Sequence, residues 1–306
     1  MSTSTFYHQS VLLHEAVDAL NIQKDGVYVD GTFGGGGHSK EILKRLGEKG
    51  KLIVFDHDED AWKNLPDDER ILLVKENFQY LKRFLRLHNF PKVNGILADL
   101  GVSSFQFDTA ERGFSTRFDA ELDMRMDRRL PLTAKEVVQT YKEKELQSIF
   151  EKYGEVRNAK TLAHAIVNSP NRSSIHTIND FKAAIDVCIK GNPNRYLAQV
   201  FQALRIEVNG ELEVLKTFLK QAGECLLPEG RLAIITFHSL EDKLVKTYMK
   251  KGDFEKEVEK DEYGRPLKAH SLKVLPDVLP SEEEIKNNPR SRSARLRIAE
   301  KMTEYK

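Results

Sequence analysis

Residues Val27–Ser39 read VYVDGTFGGGGHS: a short apolar run closing on Asp30, four consecutive glycines from Gly34 to Gly37, then His38 and Ser39. A short apolar run that ends in an acid is the pattern of a buried parallel strand with a polar carboxyl end. Just downstream, Ile42, Leu43 and Leu46 share one helical face and Gly47 supplies a stop. KLIVFD then repeats the strand pattern and ends at Asp56, which completes a βαβ unit. The same pattern returns in GILAD, ending at Asp99, and ILLVKENF around Leu73 predicts another strand between these two. Upstream, Leu13, Ala16, Val17 and Leu20 form an amphipathic helical stripe. The first hundred residues therefore read as a doubly wound α/β fold.

Glycines between a strand and a helix let the backbone adopt positive φ and approach a ligand closely, with the amides of the helix start facing it. Four of them are costly to order for a plain turn. The phosphate-binding G-x-x-x-x-G-K-[ST] is absent, because no lysine and serine follow in register, and G-x-G-x-x-G fails because its last glycine falls on Ser39 or Lys40. A ligand edge lined by Asp30, Asp56 and Asp99 repels phosphate and suits hydroxyls, an amine or a cation. S-adenosylmethionine has all of these and no phosphate. Asp56, at the end of the second strand, is the candidate partner of ribose hydroxyls; Asp58 is the competing choice, with a solvated carboxylate as its plainer explanation.

Beyond about Gln106 the strand rhythm stops, and the chain reads helical to about Arg205. Thr133 with Glu136, and Thr177 with Asp180, have capping-box spacing ahead of apolar helical faces. A helix with Leu212, Leu215, Phe218 and Leu219 on one face precedes the strand RLAIITF, Arg231 to Phe237. The expected organisation is a core of residues 1–106 and 206–306 with an inserted α-helical domain, 107–205. A charged, poorly periodic tail from about Glu255 to Pro289 leads into RSARLRIAE, whose Leu296 and Ile298 alternate as in a final edge strand.

The 306 residues carry 48 Lys+Arg against 47 Asp+Glu, a net charge of +1, so any basic binding surface must be local. With 40% hydrophobic and 31% charged residues the chain can fill a core under a charged surface. It has no apolar run near the ~20 residues of a spanning helix, and MSTSTFYHQS lacks the regions of a signal peptide. The expectation is a cytoplasmic protein with no membrane partner. Cys188 and Cys225 lie in apolar helical patterns as core thiols. No metal-ligand spacing is visible: His8 and His14 lie six apart, and His38, His57 and His238 are scattered.

Taken together, HQSVLLHE (His8 to Glu15), YVDGTFGGGGHS, ADLGVSSFQFD (Ala98 to Asp108), ERGFS (Glu111 to Ser115), LDMRMD (Leu122 to Asp127), FQALRIEVN (Phe201 to Asn209), ITFHSLED (Ile235 to Asp242) and RSRSARLRIAE resemble the ribosomal RNA small subunit methyltransferase H, or MraW, family over nearly the whole chain. The resemblance implies a class I S-adenosylmethionine-dependent methyltransferase fold with a helical insertion, acting on the exocyclic N4 of a cytidine in the decoding centre of 16S rRNA. It places cofactor contacts at Gly36, Gly37, His38, Asp56, Phe78, Asp99 and Gln106. Residue by residue, His38 also reads as a satisfied helix-start histidine and Phe78 as core. Where relatives usually read His-Pro-Ala-Thr-Arg before FQALRI, this chain has Arg195, Tyr196, Leu197, Ala198 and Gln199, so the usual arginine is not carried over.

Methyl transfer from a sulfonium is an in-line displacement, and positioning is most of the work. An acceptor that receives the N4 proton should help. The Asp/Asn-Pro-Pro-aromatic turn of many amino-methyltransferases is replaced here by Asp99-Leu100-Gly101-Val102. Asp99 is the best acceptor, with Ser103 and Ser104 secondary, and a purely cofactor-holding Asp99 stands beside that reading. His238 after the fifth strand is either a substrate contact or a helix cap. Candidate RNA contacts are Arg125, Arg128, Arg129, Arg205, Arg290, Arg292, Arg295 and Arg297. Three other readings stay open: a methyltransferase for another amine, a nucleotide-binding module without catalysis, and, less favoured, a dinucleotide oxidoreductase. A homodimer is also open.

Overall fold

The computed structural model describes residues 10–254 and 271–303. His8, and the part of the charged tail from Glu255 to His270, lie outside the described residues. In chain order the first elements are α1 (Leu13–Ala19), β1 (Val27–Asp30), α2 (Gly37–Arg45), β2 (Lys51–Phe55), α3 (Glu59–Trp62), β3 (Ile71–Val74), α4 (Leu81–Leu87) and β4 (Val93–Asp99). Six helices follow: α5 (Ser104–Asp108), α6 (Ala134–Thr140), α7 (Glu143–Lys152), α8 (Ala159–Val167), α9 (Ile178–Ile185) and α10 (Pro193–Asn209). The chain then runs through α11 (Glu211–Cys225), β5 (Leu226–Thr236), α12 (Ser239–Lys251), β6 (Leu272–Val274), α13 (Glu282–Asn287) and β7 (Arg295–Lys301). It divides into two compact units, a discontinuous one of residues 1–101 and 212–306 and a continuous one, Val102–Glu211.

The discontinuous unit is built on a seven-stranded sheet of order β3-β2-β1-β4-β5-β7-β6. β1 to β5 pair in parallel, whereas β7 is antiparallel to both β5 and β6. This is the doubly wound α/β fold expected from the strand rhythm. Because side chains alternate along a strand, successive residues enter opposite layers. Val29, Ile53, Phe55, Ile96, Ala98 and Ile234 pack with Leu81, Phe218 and Val245 of α4, α11 and α12. Tyr28, Leu52, Val54, Leu97 and Ile235 pack with Val17 and Ile42 of α1 and α2. Strand order reverses between β1 and β4, the position at which such sheets open to a ligand.

Two expectations need correction. RSARLRIAE does not form an edge: β7 lies between β5 and β6, and the short β6 is the outer strand among the described residues. The strand containing RLAIITF starts earlier, at Leu226, with a register shift between the pairs Val93↔Leu226 and Gly95↔Arg231 that the polar stretch Pro228–Gly230 disguises.

The continuous unit carries its own core, in which Leu146, Phe150, Leu162, Ile166, Phe181, Val200 and Leu204 are buried. Its helices start where the capping boxes predict. Thr133 Oγ1 accepts from Glu136 N at 3.2 Å while Glu136 returns a carboxylate oxygen to Thr133 N at 2.6 Å, and Thr177 with Asp180 does the same for α9. Both cysteines are buried thiols. Among the described residues no helix is long and apolar enough to cross a membrane.

Candidate functional site

The loops after β1 and β4 meet at the strand-order reversal. Gly31 N donates to Leu97 O at 2.8 Å, and Asp99 N donates to Thr32 Oγ1 at 2.6 Å. The glycine loop is then held from the β2 side: Gly34 N donates to Asp56 Oδ2 at 2.8 Å, and Asn64 donates to Gly34 O at 3.0 Å. Gly36 is the N-cap of α2 with φ 74 and offers no side chain to the first helical turn. The backbone amides there remain available to an anionic group. Gly37 is needed for a different reason, close approach: a Cβ at this position would sit 2.0 Å from Ser10 Oγ.

The three strand-end acids have three distinct environments. Asp30 is only 1% exposed, accepting from Ser39 Oγ at 2.6 Å and from Thr32 N at 3.0 Å. It therefore anchors the loop and does not line an open ligand edge, which corrects the simple picture of three equivalent acids. Asp56 is half-buried and accepts from Gly34 N and Asp58 N, both at 2.8 Å. Each of its oxygens keeps a second acceptor position. Burial, reinforced by Asp58 and Asp30, outweighs those two hydrogen bonds and raises its pKa to about 7. Asp58 is not a solvated carboxylate: it is buried, and caps α3 by accepting from Asp60 N at 3.1 Å.

Asp99 retains 24% side-chain exposure, yet its Oδ1 is buried and has no hydrogen-bond partner among the described residues. Burial first, then the charges of Asp30, Glu241 and Glu284, push its pKa well above the usual carboxylate range. His38 is buried beside it, with Nε2 3.1 Å from Val11 O and Nδ1 3.9 Å from Asp99 Oδ2. Since a carbonyl can only accept, Nε2 carries the proton; burial lowers the His38 pKa, so the ring is neutral and Nδ1 presents a lone pair toward Asp99. Two groups here escaped sequence reasoning. Glu284, within the charged stretch that precedes Pro289, accepts from Leu12 N at 2.8 Å. Glu241 is 2% exposed and accepts from Phe237 N at 3.0 Å. Its position three residues after His238 was the available signal.

Phe78 lies in a 3₁₀ turn, Phe78–Tyr80, with its ring edge-on to Phe218 at 4.7 Å between centroids; it is partly buried. It thus serves the core and keeps some surface. His238 is the N-cap of α12: Glu241 N donates to its Nδ1 at 3.5 Å, and Nε2 is 3.1 Å from Glu241 Oε1. The capping alternative describes its geometry. Ser103 and Gln106 belong to the continuous unit, where they form the capping box of α5: Ser103 Oγ accepts from Gln106 N at 3.1 Å and Gln106 Oε1 accepts from Ser103 N at 3.0 Å. Ser104 opens the same helix.

Several of the candidate RNA arginines are held in ion pairs. Arg125 is bidentate to Asp123, at 2.8 Å for each bond, and also donates to Leu130 O at 2.7 Å. Arg129 is paired with Asp127 and Arg205 with Glu211, both in bidentate geometry. Arg295 is paired with Asp277, and Arg297 with Asp242 at 2.7 and 2.9 Å. Arg128, Arg290 and Arg292 are exposed, as is Arg129.

Known proteins give a consistent comparison. The profile of the MraW methylase family matches residues 5–302. The chain is 54% identical over 306 residues to a protein of Flavobacterium johnsoniae named ribosomal RNA small subunit methyltransferase H, covering 99% of this chain and 100% of that one. Proteins of the same name from Flavobacterium psychrophilum (55% over 294 residues, 95% and 100% covered) and Bacteroides thetaiotaomicron (54% over 299 residues, 96% and 97% covered) are similarly alike.

Proposed function

We propose, from the premise that this chain belongs to the MraW methylase family, that it transfers the methyl group of S-adenosylmethionine to small-subunit ribosomal RNA, and specifically to N4 of a cytidine in the decoding centre of 16S rRNA. The observation that carries the reading is Asp99, a carboxylate at the strand-order reversal with one buried oxygen lacking a partner, beside a neutral His38. The same reading puts the chain in the cytoplasm, with 16S rRNA of the small subunit as its partner.

The residues suit the cofactor. The uncapped start of α2 at Gly36, Gly37 and His38 suits its carboxylate, Asp56 its ribose hydroxyls, Phe78 its adenine, and the acids around Asp99 its positive charge. When bound, S-adenosylmethionine supplies an electrophilic methyl group on sulfur. The chain's own work is then to hold the cytosine amine in line, exclude water and take a proton. Asp99 Oδ1 is the acceptor in this account. Burial makes its ionised carboxylate a stronger base for that proton, and the exposed edge of Asp99 passes the proton on to solvent. His38, held by Val11 O, keeps its Nδ1 3.9 Å from the other oxygen. Gln106 and Ser103 at the start of α5, and His238 at the start of α12, are proposed contacts for cofactor and base. Arg128 and Arg292, exposed, and Arg125, Arg129, Arg205 and Arg295, in ion pairs, are the RNA contacts of this proposal, and residues 107–205 its recognition domain.

The test incubates the protein with labelled S-adenosylmethionine and small subunits lacking the modification, and digests the RNA to nucleosides for mass spectrometry. N4-methylcytidine that is lost with Asp99→Ala supports the reading. Absence of label on RNA despite cofactor binding overturns the rRNA assignment and favours another methyl acceptor.

A further inference from the structure

The continuous unit contains a cavity of about 200 Å³ that none of the groups above explains. Phe107, Phe114 and Phe201 wall it, and Asn194, Gln202 and Arg205 supply its polar edge. Arg205 is held flat by its two bonds to Glu211. Gln202 is oriented by donation to Tyr153 O at 2.8 Å, which leaves its carbonyl oxygen as an acceptor. Asn194 is exposed and its carboxamide makes no hydrogen bond among the described residues. Flat apolar walls combined with oriented amide donors and acceptors are what a single nucleobase requires: stacking on its faces and hydrogen bonds along its edge.

A second observation joins this cavity to a charged surface. Phe107 is also one of two rings that flank Arg117, whose guanidinium carbon lies 5.2 Å from the Phe107 centroid and 5.7 Å from that of Phe118. Arg117 is 57% exposed and Phe118 40%. Asp108 at 3.2 Å holds the guanidinium in place without burying it. An exposed arginine between aromatic rings offers a π-face for a base and positive charge for its phosphate. Leaving a large ring such as Phe118 in water forgoes the stabilisation that its burial would give.

The geometry points to a binding site for unpaired RNA on the continuous unit: one splayed-out nucleobase enters the cavity between Phe107 and Phe201, and the neighbouring nucleotide lies over Arg117 and Phe118. This rests on the proposed RNA substrate and goes further by naming where the unit grips single-stranded RNA and by what contacts.

Ala198 lines the cavity from an exposed position on α10, so Ala198→Trp fills the space without disturbing the core. Binding of the full chain to a fluorescent single-stranded segment of 16S rRNA is read by anisotropy, with binding of S-adenosylmethionine measured in parallel. The expected result is a loss of RNA affinity of roughly ten-fold or more for Ala198→Trp and for the double change Arg117→Ala with Phe118→Ala, with cofactor binding intact. RNA carrying 4-thiouridine, irradiated with the unaltered chain, should crosslink to peptides containing residues 102–124 and 194–205, which tests the site without any substitution. Unchanged RNA affinity in both variants, or crosslinks confined to other peptides, overturns the site while leaving the methyl-transfer reading intact. If the unaltered chain neither binds nor methylates RNA, the RNA reading itself fails and this site falls with it.

Discussion

Asp99 is stabilised in its protonated form by the folded chain, and that has a sign that can be measured. Its folded pKa lies well above the ordinary value, so its contribution to stability is fully present below the ordinary carboxylate range. That contribution is lost as pH rises and the buried group ionises. Asp99→Asn removes the charge and keeps the shape. Its melting temperature should equal that of the unaltered chain near pH 4 and exceed it at pH 8, by roughly 2–4 °C for each kcal/mol recovered. The same variant should lose about 100-fold or more in methyl transfer, the usual minimum for removing a proton acceptor. A variant that is stabilised at pH 8 but fully active would confine Asp99 to the cofactor-holding role. At this scale the sequence was informative about identity and poor about employment. Asp30, Asp56 and Asp99 close three similar runs, yet one is sealed by Ser39 and Thr32, one is bonded to two amides, and one has an oxygen with no partner. His238 could cap a helix or touch a ligand by the same pattern, because an imidazole offers acceptor and donor alike. The arginines carried a clearer signal. Asp123 with Arg125, and Asp127 with Arg129, sit two residues apart in a loop, close enough for each guanidinium to fold back on its acid.

The glycine loop and α2 behave as one element because Gly36 turns the chain while Gly37 lets Ser10 lie against it. Gly37→Ala should therefore overpack this contact, at a cost of about 1–3 kcal/mol, and displace the amides that start α2. Calorimetric titration should show weaker binding of S-adenosylmethionine. Adding Ser10→Ala removes the clashing oxygen and leaves Cβ of residue 10 at 3.1 Å, so the pair should recover part of both losses. No recovery would place the defect elsewhere in the loop. Elements built from strong periodicity, β1, β2, β4 and the capped helices α6 and α9, were legible because each repeats one signal several times. β6 and α13 were not: three residues in one and six in the other are too few to show a period. β7 was legible as a strand, but its neighbours were not, since alternation reports which face is buried and says nothing of who pairs on either side.

Across the whole molecule, three sets of buried residues are divided by the chain order, one confined to residues 114–208 and the other two to the flanking segments. Phe181→Ala, which empties a fully buried position of the continuous unit, should cost about 3–5 kcal/mol and raise amide exchange in α8 and α9, with β1, β2 and β4 keeping their protection. Equal loss of protection in the sheet would show that the chain unfolds as one cooperative body.

β4 and β5 are neighbours in the sheet but are separated in the chain by the whole of the continuous unit. On a translating ribosome at ~5–20 residues per second, β4 leaves the tunnel on the order of ten seconds before its partner strand exists. During that interval the centre of the future sheet carries an open row of amides and carbonyls while the residues of the continuous unit are still being made. Nascent copies on one messenger are thus exposed to pairing with each other at this strand, and slower elongation through codons 102–225 should lower the yield of folded chain.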